Sequence, residues 1–377
     1  MSPMTQPPSM TDGLHGRIVV KVGTSSITNE AGRIAPERMH GIAEGLAAIE
    51  AATGVTPVLV SSGAGAAGRE RLGLTLPLTL PDKQAAAAVG QTRLMAEWEH
   101  ALEPRPVAQL LLSAGDMHDR ERYVNAKNAL LASLRMGAVP IVNENDSVAT
   151  AELKLGDNDT LSAWVAYLVD ASLLVILTDV EGLYDADPHA QAGARLLDRI
   201  EDLDAATRHV GASHGRHGTG GMVTKLHAAR IARDAGIPTR IAGVGGAALL
   251  ALARGETPGT YVPAGREGIR ARKAWLAQQP AVGRLVIDEG AAAALRDGRS
   301  LLPKGIREVQ GVFAFGDPVD VVLEDGTVIA RGLGNFAADA LTRIAGLHTR
   351  DIAEVLGAKD FDEAVHRDNL VLLPRGS

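Results

Sequence analysis

The sequence predicts an α/β fold: a mostly parallel sheet sandwiched by helices, followed by a small C-terminal β-barrel. Three observations carry this. Residues 17 to 260 alternate short apolar runs with stretches of helical spacing, the pattern of repeated strand-helix units. The runs are continuously apolar rather than alternating, as in strands buried on both faces. Aromatic usage also shifts along the chain. Phe313, Phe315, Phe336 and Phe361 all lie late, whereas Trp98, Trp164 and Trp275 lie earlier. The shift coincides with GETPGTYVPAGREG and AQQP, whose Gly and Pro read as a linker. We therefore expect a flexible tail over 1–16, a first domain over 17–265 and a linker over 266–279. A second domain follows over 280–360, then a tail over 361–377. The terminal LLPRGS resembles a cleaved-tag remnant and is left out of fold reasoning.

Taken in order, RIVVKV at 17–22 is a strand ending in Gly-Thr-Ser-Ser. Met39, Ile42, Leu46 and Ile49 space a helix over 36–52. TPVLVSS at 56–62 is a strand ending in glycines, and 83–100 is an Ala-rich helix. PVAQLLLS at 106–113 is a strand, 125–136 a helix, and AVPIVNEND at 138–146 a strand entering a polar loop. A helix opened by an acid is expected over 159–169, then the buried strand ASLLVILTD at 171–179. Residues 224–235 read as a helix and IPTRIAGV at 237–244 as a strand. The second domain holds short strands with turns at Glu324-Asp325-Gly326 and Gly332, and short helices at 291–296 and 339–344.

Composition excludes several classes. In 377 residues, 38 Lys and Arg face 45 Asp and Glu, a net charge of −7. That acid excess argues against a dedicated nucleic-acid binder. There is no cysteine, so no disulfide, thiolate metal site or cysteine nucleophile. No apolar run approaches the ~18 residues of a membrane span. The start, MSPMTQPPSMTDGLHGR, lacks the apolar core of a signal peptide. The expected location is the cytoplasm.

Polar residues and glycines gather where the apolar runs stop, which in a parallel sheet is the ligand-binding edge. Lys21 interrupts the first run and precedes Gly23-Thr24-Ser25-Ser26. It reads either as a solvated strand-end lysine or as a point charge for phosphate. Gly63-Ala64-Gly65-Ala66-Ala67-Gly68 matches G-x-G-x-x-G. Asp82 has the spacing of a ribose-binding acid but stands at a helix start, and the Lys-Ser/Thr of a P-loop is missing. An anion-binding turn and a plain tight turn both remain. Asn143-Glu144-Asn145-Asp146 and Gly156-Asp157-Asn158-Asp159 are two dense polar clusters. They suit an ammonium group, the orientation of lysines, or hydrated Mg²⁺, although a lone Asp159 would by default be a helix N-cap. His214 to Lys225 forms a glycine-rich loop running into a helix, a candidate anion site with Lys225 supplying charge. His214 and His217 fit no standard zinc spacing. No nucleophile elbow is visible. Two lysines, glycine loops and organising acids suit phosphoryl transfer.

VVKVGTSS, SSGAGAAGRE, KQAAAAVGQ, VNENDSVATAELKLGDNDTLSA, LTDVEGLYDADP and GTGGMVTK occur in this order in one chain. This set resembles the bacterial glutamate 5-kinases of the amino-acid kinase family. RSLLPKGI, VQGVFAFGD and AVHRDNL resemble the end of the long form, which carries a PUA domain. The resemblance makes 17–265 the kinase domain and 280–360 PUA-like. It implies ATP-dependent phosphorylation of the γ-carboxylate of L-glutamate, the first step of proline biosynthesis, with Mg²⁺. By motif, Lys21 would contact the transferring phosphoryl group, Lys225 would neutralise charge on the ATP side, and Asp159 would hold both. Ser62, Asp146 and Asn158 would bind glutamate. Thr178, Asp179, Thr219, Gly220, Gly221, Met222, Val223, Thr224 and Lys225 would line the ATP site with Lys21. No protein ligand of the metal is assigned.

The resemblance further implies feedback inhibition by proline, a homo-oligomer (dimer or tetramer), and hand-over of product to glutamyl-phosphate reductase. RNA is not expected as a partner: residues 280–360 hold nine Lys and Arg against twelve Asp and Glu, a poor footprint for a polyanion. Gly65 departs from the family pattern, which has a β-branched aliphatic there. Acetylglutamate, aspartate, carbamate and UMP kinases are the nearest alternatives, and the PUA-like tail and joined polar clusters argue against them. An RNA-binding protein on a kinase scaffold and a dinucleotide oxidoreductase are the more distant ones.

Overall fold

The computed structural model describes residues 14–75, 77–148, 158–186, 193–213, 219–243, 245–265, 280–359 and 361–373. The chain divides into two compact units, residues 1–268 and 269–377. Residues 1–13 of the expected N-terminal tail, the whole expected linker over 266–279, and residues 149–157 and 214–218 lie outside the described residues.

In the first unit β1 (Arg17–Val22) leads to the short α1 (Thr24–Ile27), α2 (Pro36–Thr53), β2 (Thr56–Ser61), α3 (Ala64–Leu72) and α4 (Leu80–Leu102). Next come β3 (Val107–Leu112), α5 (Ala114–His118), α6 (Arg120–Arg135) and β4 (Val139–Glu144). Then follow α7 (Asn158–Leu168), β5 (Ala171–Leu177), α8 (Leu203–Ser213), α9 (Thr219–Asp234), β6 (Thr239–Ala242), α10 (Gly246–Ala253) and β7 (Thr260–Val262). The sheet order is β3-β4-β2-β1-β5-β6-β7. All pairings are parallel except that of β6 with β7.

Local chemistry sets the boundaries. Pro36 opens α2 where its missing N–H would have no partner, and Gly54 closes it at φ 73°. Thr79 and Asp82 form a reciprocal cap on α4. Asp82 is therefore a helix cap, which removes it as a ribose-binding acid.

Strand alternation builds two cores. Val19, Val58, Val60, Leu174 and Ile176 pack on one face with Leu161 and Val165 of α7 and Leu226 of α9. Ile18, Val20, Leu59, Val175 and Leu177 pack on the other with Ile42 and Leu46 of α2, Leu94 and Trp98 of α4, and Leu249 of α10. Each fully buried Val, Leu or Ile contributes ~1.5–3 kcal/mol relative to exposure. The same alternation continues to the strand ends and just past them. Lys21 follows Val19, Ser62 follows Val58 and Val60, and Thr178 follows Ile176, so all three belong to the face of α7 and α9.

Several boundaries differ from expectation. Helices α4 and α6 begin earlier, at Leu80 and Arg120, because a Thr79 cap and an Asp119 cap hold their first turns. Helix α10 was not anticipated from GAALLALA, whose unbroken apolarity has no helical period to read. Strand β7 lies inside the Gly/Pro-rich stretch. Gly259 precedes it at φ 72°, and a Cβ there would lie 2.1 Å from the Ile241 carbonyl oxygen. Only glycine lets the chain turn that close to β6.

The second unit contains β8 (Gly283–Ile287), α11 (Glu289–Arg296), β9 (Ile306–Gly311), β10 (Pro318–Leu323), β11 (Val328–Leu333), α12 (Ala338–Ile344), α13 (Ile352–Leu356) and β12 (Leu370–Leu372). Its five-stranded sheet runs β12-β11-β10-β8-β9, with β8 and β10 parallel and the other neighbours antiparallel. Leu285, Val319, Val321, Phe313, Phe336 and Leu341 form its core. This is a β-rich domain with short helices packed on its sheet.

Candidate active site

The carboxyl ends of the parallel strands share one edge of the first sheet. Strand β1 is its centre, flanked by β2 and β5. Successive connections depart to opposite sides there, which makes it the switch point where ligands enter open α/β sheets.

Asp159 stands in the first turn of α7, yet it is not a solvent-facing cap. Its residue is 2% exposed. One carboxylate oxygen, Oδ1, lies 2.6 Å from Lys21 Nζ. The other, Oδ2, lies 3.3 Å from Lys225 Nζ and accepts a 2.8 Å hydrogen bond from Thr224 Oγ1. Both lysines are buried. Lys225 Nζ also donates to the Gly221 carbonyl, 2.9 Å away. One buried carboxylate thus bridges two ammonium groups from elements distant in sequence. The solvated reading of Lys21 does not hold.

Burial by itself would raise the Asp159 carboxyl's pKa. The charges of Lys21 and Lys225, with hydrogen bonds from Lys21 and Thr224, outweigh that, so its pKa lies below the ordinary carboxylate value. Asp159 is therefore ionised at neutral pH. The cluster carries one net positive charge, left to face an incoming anion.

A second group forms beside it. Asn158 Nδ2 donates to Ser62 Oγ at 2.7 Å and to Asn143 Oδ1 at 2.9 Å. Asn143 in turn donates from Nδ2 to Gln91 Oε1 on α4, 2.9 Å away. The Asn158 side-chain oxygen is buried without a hydrogen-bond partner among the described residues, which leaves it as an acceptor for a ligand. Trp98 supports the end of β2 from behind: its ring N–H donates to Ser61 Oγ at 2.9 Å, and that hydroxyl donates to the Ser62 carbonyl.

Ser62, Asn143, Asp146 and Asn158 line one cleft of about 300 Å³, together with Thr24, Gly65, Arg69 and Lys83. That volume suits a small metabolite. Among the described residues, the charged ones on its wall are Asp146, Arg69 and Lys83.

The glycines of G-x-G-x-x-G divide their work. Gly63 is the N-cap of α3 at φ 112°, a conformation that favours glycine. Gly65 lines the cleft, and a Cβ there meets nothing within 4 Å. Gly68 packs α3 on α4: a Cβ there would lie 1.7 Å from the Ala86 carbonyl oxygen. Gly90 makes the reciprocal approach, its Cβ position 1.8 Å from the Ala64 carbonyl oxygen. The motif is a turn and a helix-packing device beside the cleft.

The remaining candidates fall around this centre. Thr178 and Asp179 directly follow β5, next to β1; Thr178 Oγ1 donates to Asp179 Oδ1 at 3.1 Å. Thr219, Gly220, Gly221, Met222, Val223 and Thr224 are the opening turns of α9 rather than a loop, and Lys225 lies in its second turn. Met222 and Val223 pack against the core. His214, His217 and Asp157 lie outside the described residues. Sequence reasoning named Asn143 within a polar cluster, and Thr24, Arg69 and Gln91 within quoted motifs, without assigning any of them an individual role. Gln91 had one signal, a polar residue breaking an Ala-rich helix.

A family model described as the amino acid kinase family matches residues 16–243, more than half of the chain. A PUA domain model matches residues 283–356. The chain is 47% identical over 370 residues to a protein named glutamate 5-kinase in Anaeromyxobacter dehalogenans, covering 96% of this chain and 97% of that one. It is 48% identical over 365 residues to the glutamate 5-kinase of Myxococcus xanthus, covering 95% and 96%. It is 47% identical over 363 residues to that of Thermus thermophilus, covering 94% and 97%. With a buried Lys-Asp-Lys bridge at the switch point of its sheet and these relatives along nearly its whole length, the chain belongs to the amino acid kinase family.

Proposed function

We propose that this chain transfers the γ-phosphoryl group of ATP to the γ-carboxylate of L-glutamate, giving L-glutamyl 5-phosphate, the first step of proline biosynthesis. The observation that carries this is the Lys21–Asp159–Lys225 bridge beside a metabolite-sized cleft. Full-length relatives named glutamate 5-kinase support the choice of acceptor.

The chemistry needs little beyond placement. A carboxylate with pKa ~4 is already an anionic nucleophile at neutral pH, so no general base is required. The obstacle is bringing a carboxylate oxygen close to a phosphoryl group that is also anionic. Lys21, at the end of β1, stabilises the phosphoryl oxygens during transfer. Lys225, in α9, neutralises charge on the nucleotide side. Asp159 holds both ammonium groups at fixed positions, so little reorganisation accompanies the step. In the cleft, Asp146 and the Asn158 side-chain oxygen receive the substrate ammonium, and Ser62 contacts the acceptor. Thr178, Asp179 and the start of α9 border the nucleotide.

Mg²⁺ belongs to the same reading. The cation is carried in on nucleotide phosphates and water, the usual mode for Mg²⁺. When bound, it screens the phosphate charge.

Proline feedback, a homo-oligomer of two or four chains, and hand-over of the labile acyl phosphate to glutamyl-phosphate reductase rest on the resemblance. So does a cytoplasmic location. Among the described residues, no helix is long and apolar enough to cross a membrane.

The test is Mg-ATP turnover with L-glutamate, trapping the acyl phosphate with hydroxylamine. Aspartate, N-acetylglutamate and UMP are run in parallel. Hydroxamate from glutamate alone, reduced by added proline, is expected. Turnover of another acceptor with silence on glutamate overturns the substrate assignment.

A further inference from the structure

The cleft wall carries two cations that the mechanism above does not use. Arg69 and Lys83 both line it. Among the described residues, neither forms an ion pair with a carboxylate. The neighbouring acid of α3, Glu70, is taken by Arg93 at 3.0 Å. Arg69 is half-buried, whereas Lys83 is exposed in the first turn of α4. Gly65, Ala66 and Arg69 lie on one face of α3, and all three line the cleft. Gly65 offers no side chain there, and the space beyond its Cα is open. Nothing at that position fences the Arg69 guanidinium from a ligand.

L-Glutamate brings three charged groups. Its γ-carboxylate must face the phosphoryl group and its ammonium has Asp146 on the wall. Its α-carboxylate still needs a cation. A guanidinium presents two parallel N–H donors that match a carboxylate, and it loses less on leaving water than an ammonium does. We infer that Arg69 binds the α-carboxylate of the acceptor and makes the enzyme select an α-amino acid over a plain carboxylic acid. This rests on the glutamate reading above and names the residue behind its selectivity.

The experiment is a cycle between enzyme and substrate. Wild type, Arg69→Gln, Arg69→Lys and Lys83→Gln are assayed with L-glutamate and with L-isoglutamine, its α-amide, which keeps the γ-carboxylate. Wild type should prefer glutamate by about 100-fold in kcat/KM, the scale of a charged hydrogen-bonded pair. Arg69→Gln should lose most of that on glutamate, through KM, while isoglutamine turnover stays within about threefold and KM for ATP is unchanged. Retained isoglutamine turnover also shows the variant is folded. Arg69→Lys should recover part of the preference, and Lys83→Gln should keep it. Equal losses on both acceptors, an unchanged glutamate KM in Arg69→Gln, or the selective loss appearing in Lys83→Gln instead would overturn the assignment. Absence of wild-type turnover on glutamate would overturn the substrate reading together with it.

Discussion

Lys21 Nζ lies 2.6 Å from Asp159 Oδ1, although the two residues come from β1 and the start of α7, on opposite sides of β2, β3 and β4 in the chain. The contact exists because β1 is central in the sheet and α7 covers the face to which Lys21 points. The positions of Lys21 and Lys225 therefore depend on a single carboxylate.

Removing Lys21 should remove catalysis and spare the fold. In Lys21→Ala, Asp159 keeps Lys225 and Thr224 as partners. We expect kcat to fall by about 10²–10³-fold or more, the usual loss for a preorganised charge at a transition state. The circular dichroism spectrum should be unchanged. A near-normal kcat would take Lys21 out of the mechanism.

Replacing Asp159 should damage both activity and stability. Asp159→Asn leaves two buried ammonium groups without a counter-charge, at a cost of about 3 kcal/mol. The depressed carboxyl pKa sets how this varies with pH. Such a group adds stability that is fully present above its unfolded pKa and lost as pH falls through the folded one. The gap between wild type and Asp159→Asn should hold from pH 7 to about 5 and shrink below about 4. Urea unfolding at several pH values measures it; a gap that widens toward acid contradicts the assignment.

Asn158 is expected to act on glutamate and not on ATP. Asn158→Ala breaks its hydrogen bonds to Ser62 and Asn143 and removes an acceptor that has no partner among the described residues. KM for glutamate should rise about tenfold or more, the scale of one or two lost hydrogen bonds. KM for ATP should stay within error. Steady-state kinetics with each substrate varied in turn decides it, and equal rises in both constants would place Asn158 elsewhere.

Two neighbouring glycines should respond in opposite ways. Gly65→Ala places its Cβ in open space inside a helix, so it should be neutral or stabilise by about 0.5 kcal/mol. Gly68→Ala places it 1.7 Å from the Ala86 carbonyl oxygen and must push α3 from α4, costing about 2 kcal/mol or more. Thermal melts of the pair test this directly. A stable Gly68→Ala would mean that the two helices can separate freely.

Much of the fold was legible because its signals are local. Apolar runs such as RIVVKV and ASLLVIL became β1 and β5, since a strand buried on both faces must be apolar throughout. Helix α10 escaped because GAALLALA is apolar all round and carries no period. Strand β7 escaped because three residues are too few to show a pattern and Gly259 looked like linker. For the site, motifs identified Lys21, Asp159 and Lys225. Arg69 and Gln91 lay inside quoted motifs but received no role, because their relevance depends on which wall of the cleft they reach.

The sequence by itself determined the family, the parallel α/β class and which polar residues end the strands, because hydrophobic periodicity and ordered motifs are written along the chain. Only the tertiary structure decided which of those residues meet. Bringing Lys21, Asp159 and Lys225 together required β1 at the centre of the sheet, with α7 and α9 on one of its faces. The same packing turned the third glycine of G-x-G-x-x-G into a helix contact and left Arg69 facing the cleft without a carboxylate partner among the described residues. The physical reason is that charge pairing and close approach act through space, over distances of a few ångströms, between residues well separated along the chain, such as Lys21 and Asp159.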